Sequence, residues 1–364
     1  MKMKAAVAWE KNAPLKIEEV EIAAPKSTEV LVKLAGVGVC HTDATAINGM
    51  IPVELPLVLG HEGSGIVEAV GDAVRDVKVG DHVVMSYYSC GHCARCRQGE
   101  PNMCVDYERV NFGGAYADGT RRISKDGTEI GSFFGQSSFA QYAVTDEENC
   151  VVIDKDVDLA IMGPLGCGIQ TGAGAVTNRL KPEVGSDLVV FGCGAVGLSA
   201  VMMAVCAGCA KVIAVDTVDS RLELAKSLGA THVINGKETD AVEEIRKITG
   251  QGAGYSLDTT AVPAVMLQAI RCLKRKGTCG VVGSSGDKVV PLVMMDDIMG
   301  ASRTLMGIVE GDSVPKLYIP RLIEMYKLGK FPFDKLIKEY KFEDINQAFE
   351  DSRTGITIKP IIRF

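Results

Sequence analysis

The sequence lacks three features that would each define a different class of protein. It has no uncharged apolar run of the ~18 residues expected of a membrane-spanning helix. No lysine- and arginine-rich run stands out either, and the formal net charge is −7, so nucleic acid is not an expected partner. Glu10 and Lys11 interrupt the apolar residues near the N-terminus, so we predict no signal peptide. The expected partner is a small molecule, with no role for a membrane or nucleic acid.

Length and composition are those of a soluble globular protein. The chain has 364 residues, enough for two domains, of which 47% are apolar and 23% charged. Its 12 cysteines could indicate a secreted disulfide scaffold. We favour a reducing cytoplasm instead, because the chain is long enough for an ample core and four cysteines cluster at metal-ligand spacing.

Three candidate zinc ligands lie far apart in the sequence. The stretch from Gly60 places His61 and Glu62 among glycines; Cys40 precedes it and the isolated Cys167 follows it. Thiolate, imidazole and thiolate are ligands that zinc prefers, and three protein ligands leave a fourth position free for chemistry. A lone cysteine is more often a small buried hydrophobe, so the set, and not either cysteine alone, predicts catalytic zinc.

Two polar residues follow the first cysteine of this set. Thr42 could accept the proton of a substrate hydroxyl and pass it on, or it could simply cap the helix predicted to start near Asp43. Asp43 could orient a ligand histidine through the free ring nitrogen, or it could be an ordinary acidic residue of a first helical turn. Residue type alone leaves both alternatives open.

Four closely spaced cysteines predict a second metal site. They follow the pattern C-x2-C-x2-C-x7-C, which allows four thiolates to surround one tetrahedral zinc and close the site: Cys90, Cys93, Cys96 and Cys104. An iron–sulfur cluster is the competing interpretation, because it also uses C-x2-C-x2-C. We favour structural zinc, because the last spacer is long and Val105, not proline, follows the final cysteine.

A glycine motif predicts a dinucleotide site in the second half of the chain. Gly192, Gly194 and Gly197 form G-x-G-x-x-G between a predicted strand and a predicted apolar helix. Glycines permit the tight turn and a close approach to pyrophosphate, and the helix N-terminus favours negative charge. Asp216, about 20 residues further on, would bind the adenine ribose hydroxyls and repel a 2′-phosphate, which favours NAD; Arg221 could instead attract a phosphate.

Alternating strands and helices surround this motif. Strands are predicted at 186–191, 211–215, 233–234, 255–258 and 277–282, and helices at 171–178, 198–207, 221–228, 241–248 and 264–273. This alternation predicts an α/β fold with a doubly wound parallel sheet. We predict a nucleotide domain over 169–309. A mostly β domain is expected over 1–168 and 310–364, with 105–150 largely an ordered loop and a final strand at 357–363 rejoining it.

Together these residues resemble the zinc-containing alcohol dehydrogenases of the medium-chain dehydrogenase/reductase superfamily. The resemblance covers nearly the whole chain, and the stretch from Gly60 to Val74 fits the family's zinc signature. It implies a GroES-like catalytic domain, a Rossmann domain, two zinc ions per chain and NAD. It also implies zinc ligands: Cys40, His61 and Cys167 would bind the catalytic zinc, with Glu62 as an occasional fourth ligand, and the four clustered cysteines would bind the structural zinc. Thr42 would start the proton relay.

For the cofactor, the resemblance implies Thr171 and Val196 near the nicotinamide, and His41 and Lys359 near the pyrophosphate. It places Arg221 beside the adenosine ribose, and Ala195 and Val282 elsewhere in the cofactor site.

The sequence departs from the family pattern at two positions. Thr45 stands where many members carry a relay histidine, so water or His41 must carry the proton onward. Ile51 replaces an acid typical of the glutathione-dependent formaldehyde-oxidising branch, which disfavours that branch. The segments 86–88 and 109–114 look most like the aryl-alcohol (benzyl-alcohol) dehydrogenase branch.

The resulting hypothesis is reversible oxidation of a primary alcohol, aromatic or allylic, to its aldehyde with NAD+. A zinc polyol or amino-alcohol dehydrogenase is a second possibility, although Ile51 and Leu55 do not suggest a polar pocket. A non-catalytic NAD-binding protein is a third, and the presence of all three ligand types argues against it. The family resemblance further implies a homodimer or homotetramer formed by edge pairing of the nucleotide-domain sheets.

Overall fold

The computed structural model describes residues 1–283 and 286–364 and divides the chain into two compact units. The first unit comprises Met1–Cys167, Val314–Leu322 and Asp334–Phe364, and the second comprises Gly168–Ser313 and Ile323–Phe333. The second unit therefore also contains Gly168, 310–313 and 323–333, which were expected in the first. Within that unit the Cys206 thiol donates a hydrogen bond to the carbonyl of Lys330 at 3.2 Å.

The N-terminal part of the first unit is mostly β-structure. Its strands are β1 Lys2–Ala8, β2 Lys16–Ile22, β3 Glu29–Gly38, β4 Leu57–Val58, β5 Gly63–Val70, β6 His82–Met85, β7 Ile123–Lys125, β8 Thr128–Ile130, β9 Tyr142–Asp146 and β10 Cys150–Ile153. Its three α-helices are short: α1 His41–Ile47, α2 Ala94–Arg97 and α3 Tyr107–Phe112. The segment 105–150 is thus more regular than the predicted loop, since it contains helix α3 and strands β7, β8 and β9.

The second unit alternates strands and helices as predicted. Its strands are β11 Asp187–Phe191, β12 Lys211–Asp216, β13 His232–Asn235, β14 Ala253–Asp258, β15 Leu273–Val281 and β16 Thr304–Gly307. Its helices are α4 Gly168–Gly174, α5 Ala195–Cys206, α6 Asp219–Ser227, α7 Ala241–Thr249 and α8 Pro263–Arg271. The strands form one parallel sheet in the order β13-β12-β11-β14-β15-β16, which confirms the doubly wound sheet. The helix expected over 171–178 starts at Gly168 and continues as a π-helical segment, Ala175–Leu180.

The C-terminal elements are α9 Pro315–Lys327, β17 Ile337–Lys341, α10 Ile345–Thr354 and β18 Lys359–Arg363. Strand β18 pairs antiparallel with β3 and parallel with β17. The chain therefore returns to the first unit, whose larger sheet runs β10-β6-β5-β3-β18-β17 with β9 also on β3; the other sheet runs β4-β1-β2-β7-β8. This return places Lys359, at the start of β18 and near the end of the sequence, beside β3, the strand that leads to Cys40.

Glycine lets the strands of this sheet approach closely. A Cβ atom at Gly65 on β5 would clash with the backbone carbonyl of Lys33 on β3. Only a residue without a side chain fits there, which positions the start of β5, directly after His61 and Glu62, tightly against β3.

No single helix within the described residues is long and apolar enough to cross a membrane. One bent pair of helices, Leu159–Gly166 with Gly168–Leu180, meets the length and composition requirement jointly.

Candidate metal centres and cofactor site

Four side chains in the first unit converge on one point. The potential ligand atoms of Cys40, His61, Glu62 and Cys167 all lie within 4.8 Å of one another. Cys40 immediately precedes α1, the histidine and the glutamate lie between β4 and β5, and Cys167 follows a 3₁₀ turn. The fold thus brings together the residues that sequence analysis predicted as catalytic zinc ligands.

The imidazole of His61 is oriented so that one nitrogen is left for a metal. Its Nδ1 atom lies 3.0 Å from Oδ1 of Asp43, and both side chains are fully buried. Its Nε2 atom is buried and has no hydrogen-bond partner among the described residues. A buried polar atom without a partner is costly, and two thiols stand beside it. The donor set therefore fits zinc. Asp43 contacts the ring nitrogen that faces away from the metal position, where a carboxylate orients a ligand histidine.

Asp43 also connects the loops that carry two of the ligands. Its Oδ1 accepts a hydrogen bond from the amide of Gly60, and its Oδ2 accepts one from the amide of Cys40, both at 3.0 Å. Cys40, and not Thr42, is the N-cap of α1, and Asp43 completes the capping box. The interpretation of Thr42 as a helix cap is therefore wrong.

Charge in this cluster favours the metal-binding form of Cys40. A hydrogen bond from Cys167 lowers the pKa of the Cys40 thiol well below its usual value, against the effect of burial, and the charges of Lys359 and His61 lower it further. Burial alone would lower the pKa of His61, but the Asp43 carboxylate and the Cys40 thiolate outweigh it and raise that pKa. Zinc therefore competes with a proton for the imidazole when it binds.

The fourth side chain, Glu62, is held by a buried lysine. The Lys359 ammonium lies 3.0 and 2.9 Å from the two carboxylate oxygens and 3.2 Å from the carbonyl of Val39. A Cβ atom at Gly38 would clash with the same carboxylate, so glycine there makes room for it. Burial raises the pKa of Glu62, and Lys359 opposes that rise. The resemblance implied Lys359 at a pyrophosphate; here its ammonium is buried at the metal cluster.

The relay residues lie next to the cluster. The Cys40 thiol lies 3.6 Å from Oγ1 of Thr42, which places this hydroxyl beside the metal position. The hydroxyl of Thr45 donates to the carbonyl of Thr42 at 2.9 Å and is buried, so it stabilises the helix. His41 is exposed at the start of α1.

The four clustered cysteines form a second convergent set. The sulfur atoms of Cys90, Cys93, Cys96 and Cys104 lie within 4.8 Å of one another. Backbone amides point at these sulfurs: Cys104 accepts from Cys90 at 3.2 Å and from Asp106 at 3.4 Å. A backbone hydrogen bond from Cys96 lowers the pKa of Cys93 to about 6, whereas burial raises the pKa of Cys96 to about 12. Amide donors stabilise thiolates, which is the form that a tetrahedral zinc requires.

The glycine motif in the second unit leaves space where a dinucleotide would need it. Gly192 has φ +92°, and a Cβ atom there would lie 2.6 Å from Oγ1 of Thr259. A Cβ atom at Gly197 would clash with the carbonyl of Gly192, whereas one at Gly194 would meet nothing within 4 Å. Packing therefore explains two of the glycines, and the open space at Gly194, the N-cap of α5, fits the approach of a pyrophosphate.

The predicted ribose residues flank this loop. The Asp216 carboxylate accepts a hydrogen bond from the amide of Cys193 at 2.6 Å, and it also accepts amides of the following turn. The Nε atom of Arg221 is buried without a partner among the described residues, which leaves a donor for a ligand. Val282 follows β15, and its amide donates to the carbonyl of Asp258 at 3.0 Å.

Helix α4 brings Thr171 close to the motif. A Cβ atom at Gly172 would clash with the carbonyl of Val196, so α4 packs directly on the first turn of α5. Thr171 is buried, and its hydroxyl donates to Oε2 of Glu310 at 3.3 Å. Sequence analysis did not single out Glu310, because an isolated glutamate carries no motif.

Sequence analysis also missed the residues that surround the imidazole of His61. Phe134 stacks on this ring with 4.4 Å between centroids and 24° between planes, and Phe133 meets it edge-on at 5.6 Å. The amide of Gln136 donates to the carbonyls of His61 at 3.0 Å and Ser86 at 3.1 Å. No spacing rule identifies such residues, which only tertiary structure brings to the histidine.

Known proteins resemble both parts of the chain. Residues 26–155 match the alcohol dehydrogenase GroES-like domain, and residues 195–327 match the zinc-binding dehydrogenase family. Geraniol dehydrogenase of Castellaniella defragrans is 47% identical over 99% of this chain and 97% of that protein. Benzyl alcohol dehydrogenase from Acinetobacter calcoaceticus, a crystal structure, superposes with TM-score 0.97 at 46% identity, covering 100% of this chain and 99% of that chain. An alcohol dehydrogenase zinc-binding domain protein from Burkholderia ambifaria gives TM-score 0.98 at 49% identity, with coverage of 100% and 99%.

The chain therefore belongs to the zinc-type medium-chain alcohol dehydrogenases. The predicted family and the predicted combination of a GroES-like and a Rossmann domain are confirmed. The protein is an alcohol dehydrogenase that acts on small-molecule alcohols, and zinc and NAD(P) are its cofactors.

Proposed function

We propose that this enzyme reversibly oxidises a primary alcohol whose carbinol carbon is attached to an aromatic or allylic group, using NAD+. The observation that carries the proposal is a cluster of aromatic rings built against the proposed metal ligand His61. The two most informative relatives act, by their names, on geraniol and on benzyl alcohol. Both names describe alcohols next to a π-system.

The aromatic cluster extends outward from the imidazole. Phe133 and Phe134 contact each other at 4.9 Å, and Phe112 packs edge-to-face on both, at 6.0 and 5.2 Å. Tyr107 contacts Phe112 at 6.2 Å. Edge-to-face and stacked contacts favour planar, polarisable groups, so a substrate with an aromatic ring or a conjugated double bond is favoured over a polyol.

In this proposal the catalytic zinc is bound by Cys40, His61 and Cys167. Glu62 is an occasional fourth ligand, and its carboxylate otherwise pairs with Lys359. Bound there, zinc supplies Lewis-acid polarisation of the substrate oxygen, and the dinucleotide supplies the hydride acceptor. Asp43 fixes the imidazole through Nδ1. Thr42 takes the substrate's hydroxyl proton, and because Thr45 is committed to the helix backbone, the proton leaves through water or His41.

The preference for NAD over NADP follows from Asp216. A carboxylate at the end of β12 accepts hydrogen bonds from ribose hydroxyls and repels a 2′-phosphate. Arg221, with its buried Nε donor, is the residue that would weaken this preference. We assign the cofactor-binding positions of the glycine loop to Gly192, Gly194, Ala195, Val196 and Gly197.

We further propose a structural zinc on the four clustered cysteines and a reducing cytoplasmic setting. The 12 cysteines are all free of disulfides, which suits that setting. A homodimer or homotetramer is proposed through β16, because it is the edge strand of its sheet and Leu305 on it is exposed. Light scattering of the purified protein tests the last point.

The substrate proposal is tested by initial rates of NAD+ reduction with benzyl alcohol, geraniol, ethanol and sorbitol, each repeated with NADP+ and after chelation. We expect kcat/KM to be highest for benzyl alcohol or geraniol with NAD+, and to be lost on zinc removal. Phe112→Leu removes the half-buried outer ring of the cluster. It should reduce the preference for benzyl alcohol over ethanol about 2- to 10-fold, because aromatic contacts contribute about 0.5–1.5 kcal/mol beyond burial.

Phe349→Leu is the matched control. Phe349 is also half-buried and makes an edge-to-face contact, with Phe139 at 5.7 Å, outside the cluster. It should leave the preference between substrates unchanged. A higher kcat/KM for ethanol or sorbitol than for either conjugated alcohol would refute the substrate proposal while leaving the zinc chemistry in place.

A further inference from the structure

A buried glutamate in the second unit lies on an unusual stretch of backbone. Glu310, Gly311 and Asp312 have φ values of +51°, +64° and +44°, a left-handed conformation that non-glycine residues rarely adopt. Two hydrogen bonds hold the stretch on α4 and its continuation. Asn178 donates to the carbonyl of Gly311 at 3.0 Å, and Ser313 donates to Oε1 of Gln170 at 2.9 Å. Backbone strain maintained in this way is concentrated at functional sites.

The position of Glu310 follows from the order of the strands. The glycine motif lies at the carboxyl end of β11, and Asp216 ends the neighbouring strand β12. If the adenosine half of the dinucleotide lies toward β12, the nicotinamide half must extend the other way, over the carboxyl ends of β14, β15 and β16. Glu310 follows β16 by three residues, so it lies at that end of the sheet.

Helix α4 ties the carboxylate of Glu310 to the glycine loop. Thr171 donates to Oε2 of Glu310 at 3.3 Å, and the adjacent Gly172 is packed so tightly on Val196 that no Cβ atom fits between them. Helix α4 also packs closely on the stretch that carries Glu310. A Cβ atom at Gly174 of α4 would clash with the carbonyl of Gly311, and a Cβ atom at Gly311 would clash with the carbonyl of Gln170. Glu310 as a residue is only 8% exposed, so water screens its charge weakly.

We propose that Glu310 discriminates between the redox states of the cofactor. The nicotinamide ring carries a positive charge when oxidised and none when reduced. A weakly screened carboxylate at this end of the sheet therefore stabilises bound NAD+ relative to bound NADH. The inference rests on the nicotinamide cofactor of the family and is independent of the proposed aromatic or allylic substrate.

The test is binding of NAD+ and NADH, measured by calorimetry on the zinc-loaded enzyme without any alcohol. Glu310→Gln keeps an acceptor for Thr171 and removes the charge. It should weaken NAD+ binding about 10-fold while changing NADH binding less than 2-fold. If the enzyme prefers the phosphorylated dinucleotide, NADP+ and NADPH supply the same ratio.

Two further variants distinguish charge from backbone structure. Asp312→Asn removes the other acid of the stretch, which pairs with Arg179 at 3.4 Å, and should leave the ratio of the two dissociation constants unchanged. Glu310→Asp keeps the charge and should hold the ratio within about 2-fold. Equal weakening of NAD+ and NADH by Glu310→Gln, or no change in either, would overturn the proposal. Since no alcohol is present, failure of the substrate proposal cannot produce these results.

Discussion

The two cysteine-containing clusters of the first unit use the same metal-binding chemistry in opposite ways. The potential ligands of the first cluster extend from Cys40 to Cys167, more than a hundred positions along the chain, and three of the four are buried. Charged side chains of Asp43 and Lys359 contact this cluster. The other takes all four from one short segment, leaves three half-buried, and is supported mainly by backbone amides. The comparison suggests that a site for chemistry is built from charges brought together by the fold, whereas a site for structure is complete within its own loop.

The largest expected effect separates the two clusters by activity. Cys40→Ser removes a ligand from the buried cluster, and we expect turnover to fall at least 100-fold, because even loss of a ligand's outer partner costs about 10- to 100-fold. The melting temperature should change little, and zinc content should fall by about one ion per chain. Near-normal turnover in this variant would contradict the assignment of Cys40 to the catalytic zinc.

The second prediction separates the clusters by stability. Cys96→Ser breaks the four-thiol set, where the proposed structural zinc would contribute directly to folding of the surrounding loop. We expect a lower melting temperature and faster proteolysis within 90–112, with a smaller loss of kcat than in Cys40→Ser while the protein stays folded. Differential scanning calorimetry and limited proteolysis measure both effects. An unchanged melting temperature together with full zinc content would show that Cys96 is not a ligand.

The smallest effect is a difference in pH dependence. Without metal, the Asp43 carboxylate and the Cys40 thiolate raise the pKa of His61 and burial raises the pKa of Cys96 to about 12, so both groups hold their protons more tightly than usual. Zinc binding must release these protons, so falling pH weakens binding at both clusters. Each cluster has one thiol with a lowered pKa, Cys40 and Cys93, but the four-thiol cluster also has raised pKa values at Cys96 and Cys104, so the slope should be steeper there. Zinc release to a chelator between pH 8 and 5, compared in the wild-type chain and in Cys40→Ser, measures both slopes; equal slopes would contradict this account.

The same contrast explains how much could be predicted from sequence. The four-thiol segment and the glycine motif are local patterns, and the alternation around the motif specifies a doubly wound sheet. The convergence of Cys40, His61 and Cys167 was also predictable, because glycines and residue types mark these positions despite the wide spacing.

Other parts of the site depend on tertiary packing that no local pattern encodes. Lys359 reaches Glu62 only because β18 returns to β3 from the other end of the chain. Phe134 reaches His61 from a turn with positive φ, and Glu310 reaches Thr171 from a strained stretch after an edge strand. Each contact brings a residue with no local motif around it, Lys359, Phe134 or Glu310, to a residue of the candidate site.

The carboxylate of Asp43 has a further consequence for the loop between the first two ligands. It accepts hydrogen bonds from the amides of Cys40 and Gly60 and orients His61. Both ends of residues 44–59 are therefore held at the same carboxylate. The part of this segment between α1 and β4, residues 48–56, is therefore a closed insert on a fixed base, and the length and side chains of that part can be redesigned without separating the potential metal ligands. Residues 48–56 are accordingly the place to graft new loops in search of altered alcohol selectivity, with metal content as a built-in measure of whether the base has survived.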